Sequence, residues 1–314
     1  LVHRLRKGEA AAYKFHLLFS LVSAPRAFLF GRRAARSGAE VIFFIIIAET
    51  GAFFKRFQEK RTQFHLALFF RGLAIFLRLW YDSGMETTLD MTRAQTLLKE
   101  HADRFAAFRE MLLGYNEKYN LTAITEEEEV NAKHFLDSLA GEALFPAGAR
   151  VLEVGSGAGF PSVPLMLVRP DLSFTLIEST GKKCDFLISA AEKFSLQAEV
   201  LHVRAEDAGR DPCFREQFDV CCARAVARLN TLLEYCLPFV KPGGVFLAYK
   251  GSGAEEELAE AGRALSLLGG GQVKAYSYSL PGGMGERTIL AVRKIKPTPE
   301  KYPRGRGKER SAPL

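Results

Sequence analysis

Between Val151 and Pro161 the chain runs VLEVGSGAGFP, with glycine at 155, 157 and 159 directly after a short apolar run. Val151, Leu152 and Val154 suit a buried strand, and the glycines suit a sharp turn whose backbone a ligand can approach closely. A dinucleotide fingerprint, GxGxxG, requires glycine at position 160, where Phe stands, so a nicotinamide reading is weakened. Glu153, just ahead of the turn, would repel a pyrophosphate. The same carboxylate can hold the methionine end of S-adenosylmethionine (SAM), directly or through water. Glu178 ends the next expected strand, about twenty residues on, where a carboxylate can accept hydrogen bonds from both ribose hydroxyls. The pair Ala205 and Glu206 follows the third expected strand, where an adenine can be held by a backbone N–H and a short polar side chain. Arg224 and Lys250 follow the fourth and fifth strands and point to one cleft, Arg224 toward cofactor or target nucleotide and Lys250 toward an RNA phosphate or base edge. Each has a structural alternative: a plain strand-to-helix turn for the glycines, an exposed strand-end acid for Glu178, a salt bridge for Arg224.

The elements that must position these residues alternate from Ala149 onward. Strands are expected at 149–154, 173–178, 198–203, 218–222 and 244–250, and helices near 162–169, 181–194, 228–239 and 254–268. Two last strands, near 272–279 and 287–293, lack a full helix between them, as an antiparallel pair requires. The layout is α/β: a Rossmann-like SAM-dependent methyltransferase fold, a seven-stranded, mostly parallel sheet with one reversed strand, preceded by a helical N-terminal subdomain. In such sheets ligands bind at the carboxyl ends of the strands near the topological switch, where the glycine turn falls. The expected division is 91–146 for the helical part, 147–294 for the SAM-binding domain and 295–314 for a basic C-terminal tail. His134 and Asp137 share a helix face ahead of the glycine turn and can hydrogen-bond. Asn120 and Thr122 suit turn and cap roles.

The net charge of +7 and the pI near 9.1 describe the two ends of the chain. Residues 1–90 hold 14 Lys and Arg against 7 Asp and Glu, residues 293–314 hold 8 against 2, and 91–292 holds 21 against 27. A basic tail rich in Pro and Gly on an acidic globule suggests a tail that stays flexible until it meets a polyanion such as RNA, a solvated end being the alternative. The cysteines, Cys184, Cys213, Cys221, Cys222 and Cys236, form no CxxC pair and lack accompanying His spacing, so neither a metal site nor a secreted disulfide framework is expected. Adjacent Cys221 and Cys222 suit opposite faces of one strand in a reducing cytoplasm.

Residues 1–90 differ in kind. They hold 13 of the 25 Phe and apolar bursts such as VIFFIIIA (41–48), with Arg and Lys scattered between them. No burst approaches the roughly 20 apolar residues of a membrane helix, so no stable membrane insertion is expected. The chain begins with Leu1, while Met85 and Met91 stand just before the first well-patterned helix. A start assigned too far upstream is the preferred account of this extension, ahead of a membrane-surface segment or an accessory domain.

Several separated motifs define a resemblance: YNEKYNLTAIT (115–125), KHFLDSL (133–139), VGSGAGFPSVPL (154–165), LIESTGKKCDFL (176–187), VRAED (203–207), FDVCCARAVARL (218–229), LAYKG (247–251), GERTI and YPRGRG. From about 96 to 314 the chain resembles the bacterial ribosomal RNA small subunit methyltransferase G family, also called glucose-inhibited division protein B. The resemblance implies a cytoplasmic enzyme that transfers methyl from SAM to N7 of one guanine, position 527 in the usual bacterial numbering of 16S ribosomal RNA. It also implies cofactor contacts at Gly155, Phe160, Ala205, Glu206 and Arg224. Two positions depart from the family pattern. Ser162 stands where glycine is usual, a tolerable helix-start residue, and Lys133 stands for Arg, which loses a bidentate fork for phosphate.

The chemistry is consistent. Guanine N7 carries an in-plane lone pair and no hydrogen, so attack on a sulfonium methyl needs no general base and positioning is the main resource. The fourth strand ends in CARAVA and lacks the Asp/Asn-Pro-Pro-aromatic signature of exocyclic-amine methylation. The alternatives are a small-molecule methyltransferase and a non-catalytic SAM- or RNA-binding accessory protein.

Overall fold

Period-two apolar runs give way to 3.6-period runs throughout the second half of the chain, which is the pattern of parallel strands joined by helical crossovers. The computed structural model describes residues 87–314. The expectations made for the Phe-rich N-terminal stretch therefore lie outside the described residues, save its last few positions.

Helices α1 (Thr92–Glu100) and α2 (Ala102–Tyr119) lead into α3 (Glu127–Val130), a π-helical stretch (Asn131–Leu136) and α4 (Asp137–Leu139). The strands are β1 (Thr87–Thr88), β2 (Arg150–Val154), β3 (Ser173–Glu178), β4 (Ala198–His202), β5 (Phe218–Arg224), β6 (Val240–Lys250), β7 (Gly270–Ser279) and β8 (Glu286–Lys294). Between them lie α5 (Ser162–Val168), α6 (Gly181–Phe194), α7 (Ala205–Ala208), α8 (Leu229–Cys236), α9 (Ala254–Glu260) and α10 (Gly262–Leu268), and α11 (Lys308–Ser311) closes the chain. The sheet has eight strands in the order β1-β7-β8-β6-β5-β2-β3-β4. Strand β8 runs antiparallel to both β6 and β7, and the remaining pairings are parallel. The strand beyond the expected seven is β1, a two-residue edge on β7.

Other differences from the sequence pattern are local. Strand β6 begins at Val240, ahead of the expected 244, because Lys241-Pro242-Gly243 is absorbed as an irregularity in its register with β5. The expected 254–268 helix is divided at Ala261.

Alternation sorts each strand between two cores. Val151 and Cys222 face the side covered by α1, α2, α5 and α6, with Phe105, Phe108, Phe135 and Phe186 at its centre. Leu152, Val154 and Cys221 face the opposite side with α8, α10 and Tyr302. Full burial of one such side chain contributes roughly 1.5–3 kcal/mol, and both adjacent cysteines are fully buried on opposite faces. Helix α2 ends at Asn120, which takes the left-handed conformation (φ 50°). Successive strands switch direction of travel across the sheet between β2 and β5, so the crevice expected for a ligand opens at their carboxyl ends.

Candidate cofactor and catalytic site

The chain leaving β2 turns through Gly155, Gly157 and Gly159 at φ +70°, +56° and +82°, conformations that an L side chain strains to adopt. Their reasons differ. A Cβ on Gly155 would lie 2.7 Å from Val226, on the loop after β5, and one on Gly159 would lie 2.6 Å from Val163 and 3.3 Å from Leu187. Both glycines let neighbouring elements close on the turn. At Gly157 the nearest atom to an added Cβ is the Gly155 carbonyl oxygen at 3.7 Å, so this is the open face where a ligand can approach.

Glu178 stands behind that open face. It ends β3 buried, and its two carboxylate oxygens accept the backbone N–H groups of Gly157 (3.0 Å) and Thr180 (2.8 Å). The acid thus fixes the turn, and each oxygen keeps a lone pair for a further donor. Glu153 is fully buried on the face of β2 that carries Val151. Its Oε2 accepts the hydroxyl proton of Ser162, while its Oε1 has no partner among the described residues. Burial, the largest influence, pushes the Glu153 carboxyl up to about 7, against the opposing effects of Ser162 and Arg224. An orphan carboxylate oxygen, an open glycine and a buried strand-end acid form a set of acceptors around an open backbone that fits a cationic, ribose-bearing cofactor. In the sequence Ser162 reads only as a helix start; its bond to Glu153 is visible only once the turn has closed.

Arg224 is the last residue of β5 and is mostly buried. Its Nη1 donates to Asp137 Oδ2 (2.7 Å) and to the Lys133 carbonyl (3.0 Å), and its Nη2 donates to His134 Nδ1 (3.2 Å). Arginine has no acceptor, so His134 Nδ1 carries no proton and the imidazole is the neutral Nε2–H tautomer. That hydrogen donates to Thr122 Oγ1 at 2.8 Å. Burial first, and Arg224 second, hold His134 at about 3, so it stays neutral across the physiological range. His134 and Asp137 do not bond to each other, as their spacing suggested; both bind Arg224. Asp137 Oδ1 also accepts from Tyr278 on β7 (2.9 Å) and faces Arg287 on β8 (3.7 Å). The π-helical turn is the local device: its wider spacing presents the Lys133 carbonyl and the His134 ring together.

Phe160 has its ring in this cluster, 4.3 Å from the His134 ring in a stack and 4.9 Å from the Arg224 guanidinium. Any ligand contact it makes from the turn is therefore through its backbone. Lys133 pairs with Glu129 one turn earlier, so the phosphate clasp expected of it competes with an ion pair.

Lys250 is held from two sides. Its side chain is buried, with the ammonium 2.7 Å from Glu257 on α9 and donating to the Ala227 carbonyl (2.7 Å). Glu257 also accepts the Leu229 N–H at the start of α8 (2.6 Å). Lys250 is thus engaged by α9 and by the loop after β5. Ala225 in that loop sits at φ 56°, a strained value for a non-glycine residue.

Ala205 and Glu206 open α7, both buried, with Arg204 3.7 Å from Glu206. The C-terminal segment packs against the end of the same turn. Arg210 donates to the Pro303 carbonyl, and Arg215 donates to the carbonyls of Thr298 (2.6 Å) and Tyr302 (3.0 Å). Arg304 makes a forked pair with the fully buried Glu234 (2.9 and 2.7 Å). The flexible tail expected from its Pro, Gly and Lys content is corrected: carbonyls freed by its irregular backbone are taken up by Arg210 and Arg215, and Tyr302 is buried in the core.

Comparison with known proteins agrees with the motifs. The family model described as rRNA small subunit methyltransferase G (GidB) matches residues 101–282. A protein of Lactobacillus acidophilus named ribosomal RNA small subunit methyltransferase G is 46% identical over 224 residues, 69% of this chain and 93% of the relative. Proteins of the same name from Moorella thermoacetica and Brevibacillus brevis are 46% and 44% identical, each over 70% of this chain and covering 92% and 93% of the relative.

Proposed function

Because this chain belongs to the ribosomal RNA small subunit methyltransferase G family and is a SAM-dependent ribosomal RNA methyltransferase, we propose that its product is 7-methylguanosine at guanine 527 of 16S ribosomal RNA. The observation that carries this reading is the state of the groups around Arg224. Asp137 is engaged by Arg224 and Tyr278, and His134 is held at about 3 with Nδ1 occupied by Arg224. Both side chains are committed to partners, and a purine N7 requires no proton acceptor, since its lone pair attacks directly.

SAM supplies the methyl group, activated as a sulfonium. The turn at Gly155, Gly157 and Gly159 admits the cofactor, with Phe160 contributing backbone. Glu178 receives the ribose hydroxyls, Ala205 and Glu206 hold the adenine, and Glu153 favours the cationic methionine end. Arg224 keeps Nε–H and one Nη2 hydrogen free of bonds to the described residues and orients the cofactor or the purine. Lys250 is a positioning residue that holds the loop from Ala225 to Leu229. The exposed cations of the C-terminal segment meet RNA phosphate. A ribosomal RNA substrate supports a cytoplasmic location. No described helix is long and apolar enough to cross a membrane.

The test is methylation of 16S RNA, free and within small ribosomal subunits, followed by chemical cleavage at 7-methylguanosine. A single new cleavage at the proposed guanine is expected. Methyl transfer to an exocyclic amine, or only to a small molecule, would reject the N7 assignment.

A further inference from the structure

Glu153 and Ser162 stand at the two ends of the glycine turn, one leaving β2 and the other beginning α5, and both are fully buried. The Ser162 hydroxyl donates to Glu153 Oε2, closing the base of the turn, while Ser156 within the turn donates to the Glu153 carbonyl (3.4 Å). A glycine at 162 has no hydroxyl to offer and keeps only the backbone N–H, a weaker influence on the carboxylate. Without that hydroxyl the buried carboxylate would lose its strongest hydrogen bond and keep the weaker help of Ser156 and the residue 162 N–H, which shifts the balance from charge toward the proton.

The charged and titratable groups around the carboxylate are few. Arg224 attracts it from the end of β5. Cys221 and Cys222 on β5 and Tyr249 on β6 also sense its charge; burial raises all three well above their ordinary values, so they stay neutral. The hydroxyl of Ser162 is the strongest influence opposing burial.

We propose that Ser162 is a positioning residue that staples the two ends of the glycine turn and favours the charged form of the Glu153 carboxylate, so that cofactor affinity in this chain depends on a hydroxyl that glycine at the same position cannot supply. The inference rests on the SAM-binding reading of the turn. SAM brings a sulfonium and an ammonium against a single carboxylate, so a charged Glu153 draws it in and a protonated one does not.

The experiment is calorimetric titration of the ligand-free full chain with SAM between pH 5.5 and 8.5, on wild type, Ser162→Ala, Ser162→Gly and Glu153→Gln. Thermal melts of each ligand-free protein are run over the same range. Wild-type affinity should strengthen as pH rises through about 7, where Glu153 ionises. In Ser162→Ala and Ser162→Gly that midpoint should move upward, with affinity at pH 7 about tenfold weaker, as expected for loss of a hydrogen bond to a charged group. Glu153→Gln should bind weakly at all pH values, with this transition gone. Ser162→Gly removes the hydroxyl without leaving a side chain in the closed turn, so a misfolded alanine variant would not end the test. Superimposed pH profiles for wild type and the two Ser162 variants, with wild-type binding intact, would overturn the inference alone. A wild-type chain that binds no SAM at any pH would overturn the cofactor reading and the inference together.

Discussion

A methyl group added at Gly157 and one added at Gly159 should do different damage. At Gly157 the new Cβ points into open space, so Gly157→Ala should lower stability by about 1–2 kcal/mol, the strain of a left-handed alanine, while abolishing measurable SAM binding. At Gly159 the Cβ meets Val163 at 2.6 Å, so about 1–3 kcal/mol of overpacking is added to that strain, and the melting temperature should fall further than for Gly157→Ala. Equal melting losses, or intact SAM affinity in a folded Gly157→Ala, would remove the distinction. Glu153 makes a second prediction. Its carboxyl rises from 4.5 to about 7 on folding, so between those values the folded chain keeps a proton that the unfolded chain has released. Its contribution therefore becomes less favourable as pH rises from 4.5, reaching a penalty of about 3 kcal/mol near pH 7 and levelling above it. Denaturant melts of Glu153→Gln should lack that slope, and parallel curves for the two proteins would contradict it. The glycines and the strand-end acids were legible because type and spacing alone specify them. The partners of Glu153 and Arg224 were not, because they meet only when distant segments close.

At the scale of elements, one carboxylate ties the run from α3 to α4 to three strands of the sheet. Asp137 accepts from Arg224 on β5 and Tyr278 on β7 and faces Arg287 on β8. Asp137→Ala would leave a mostly buried guanidinium without its counter-charge, a change that costs about 3–5 kcal/mol at buried pairs. Urea unfolding should show a loss in that range, and Asp137→Asn, which keeps an acceptor, should lose less. A loss under about 1 kcal/mol for the alanine variant would mean the cluster is not what joins these elements. Strands β2, β3 and β7 and helices α5 and α6 were legible within a residue or two, since their apolar periods match their buried faces. The π-helical stretch left no such mark: one extra residue in a turn barely alters the periodicity of NAKHFL. Strand β1 is only two residues long and carries no pattern of its own.

For the whole molecule the question is where the positive charge of the C-terminal segment goes. Lys294 is buried against Glu216, Leu237 and Thr298, with burial holding its ammonium down at about 8, and Arg304 is consumed by Glu234. Lys296, Lys301, Arg306, Lys308 and Arg310 remain exposed on a backbone that the rest of the fold holds in place. Composition indicated the charge but not this division, because a Pro- and Gly-rich basic stretch looks the same whether it is solvated or pinned. Two experiments separate the roles. Deleting residues 297–314 removes Tyr302 from the core, strands Glu234 as a buried acid and takes Pro303 from its place against Gly209 at the end of α7. That truncation should lower the melting temperature and weaken SAM binding along with RNA binding. Replacing Lys301, Arg306, Lys308 and Arg310 with Gln instead leaves Tyr302, Pro303 and the Arg304–Glu234 pair in place. The substituted chain should melt and bind SAM like wild type, while its RNA affinity falls and the log–log salt slope shrinks by about 0.7–0.9 for each phosphate that is no longer neutralised. An unchanged slope would mean that these cations face solvent in the complex and that the RNA is gripped from another side of the molecule.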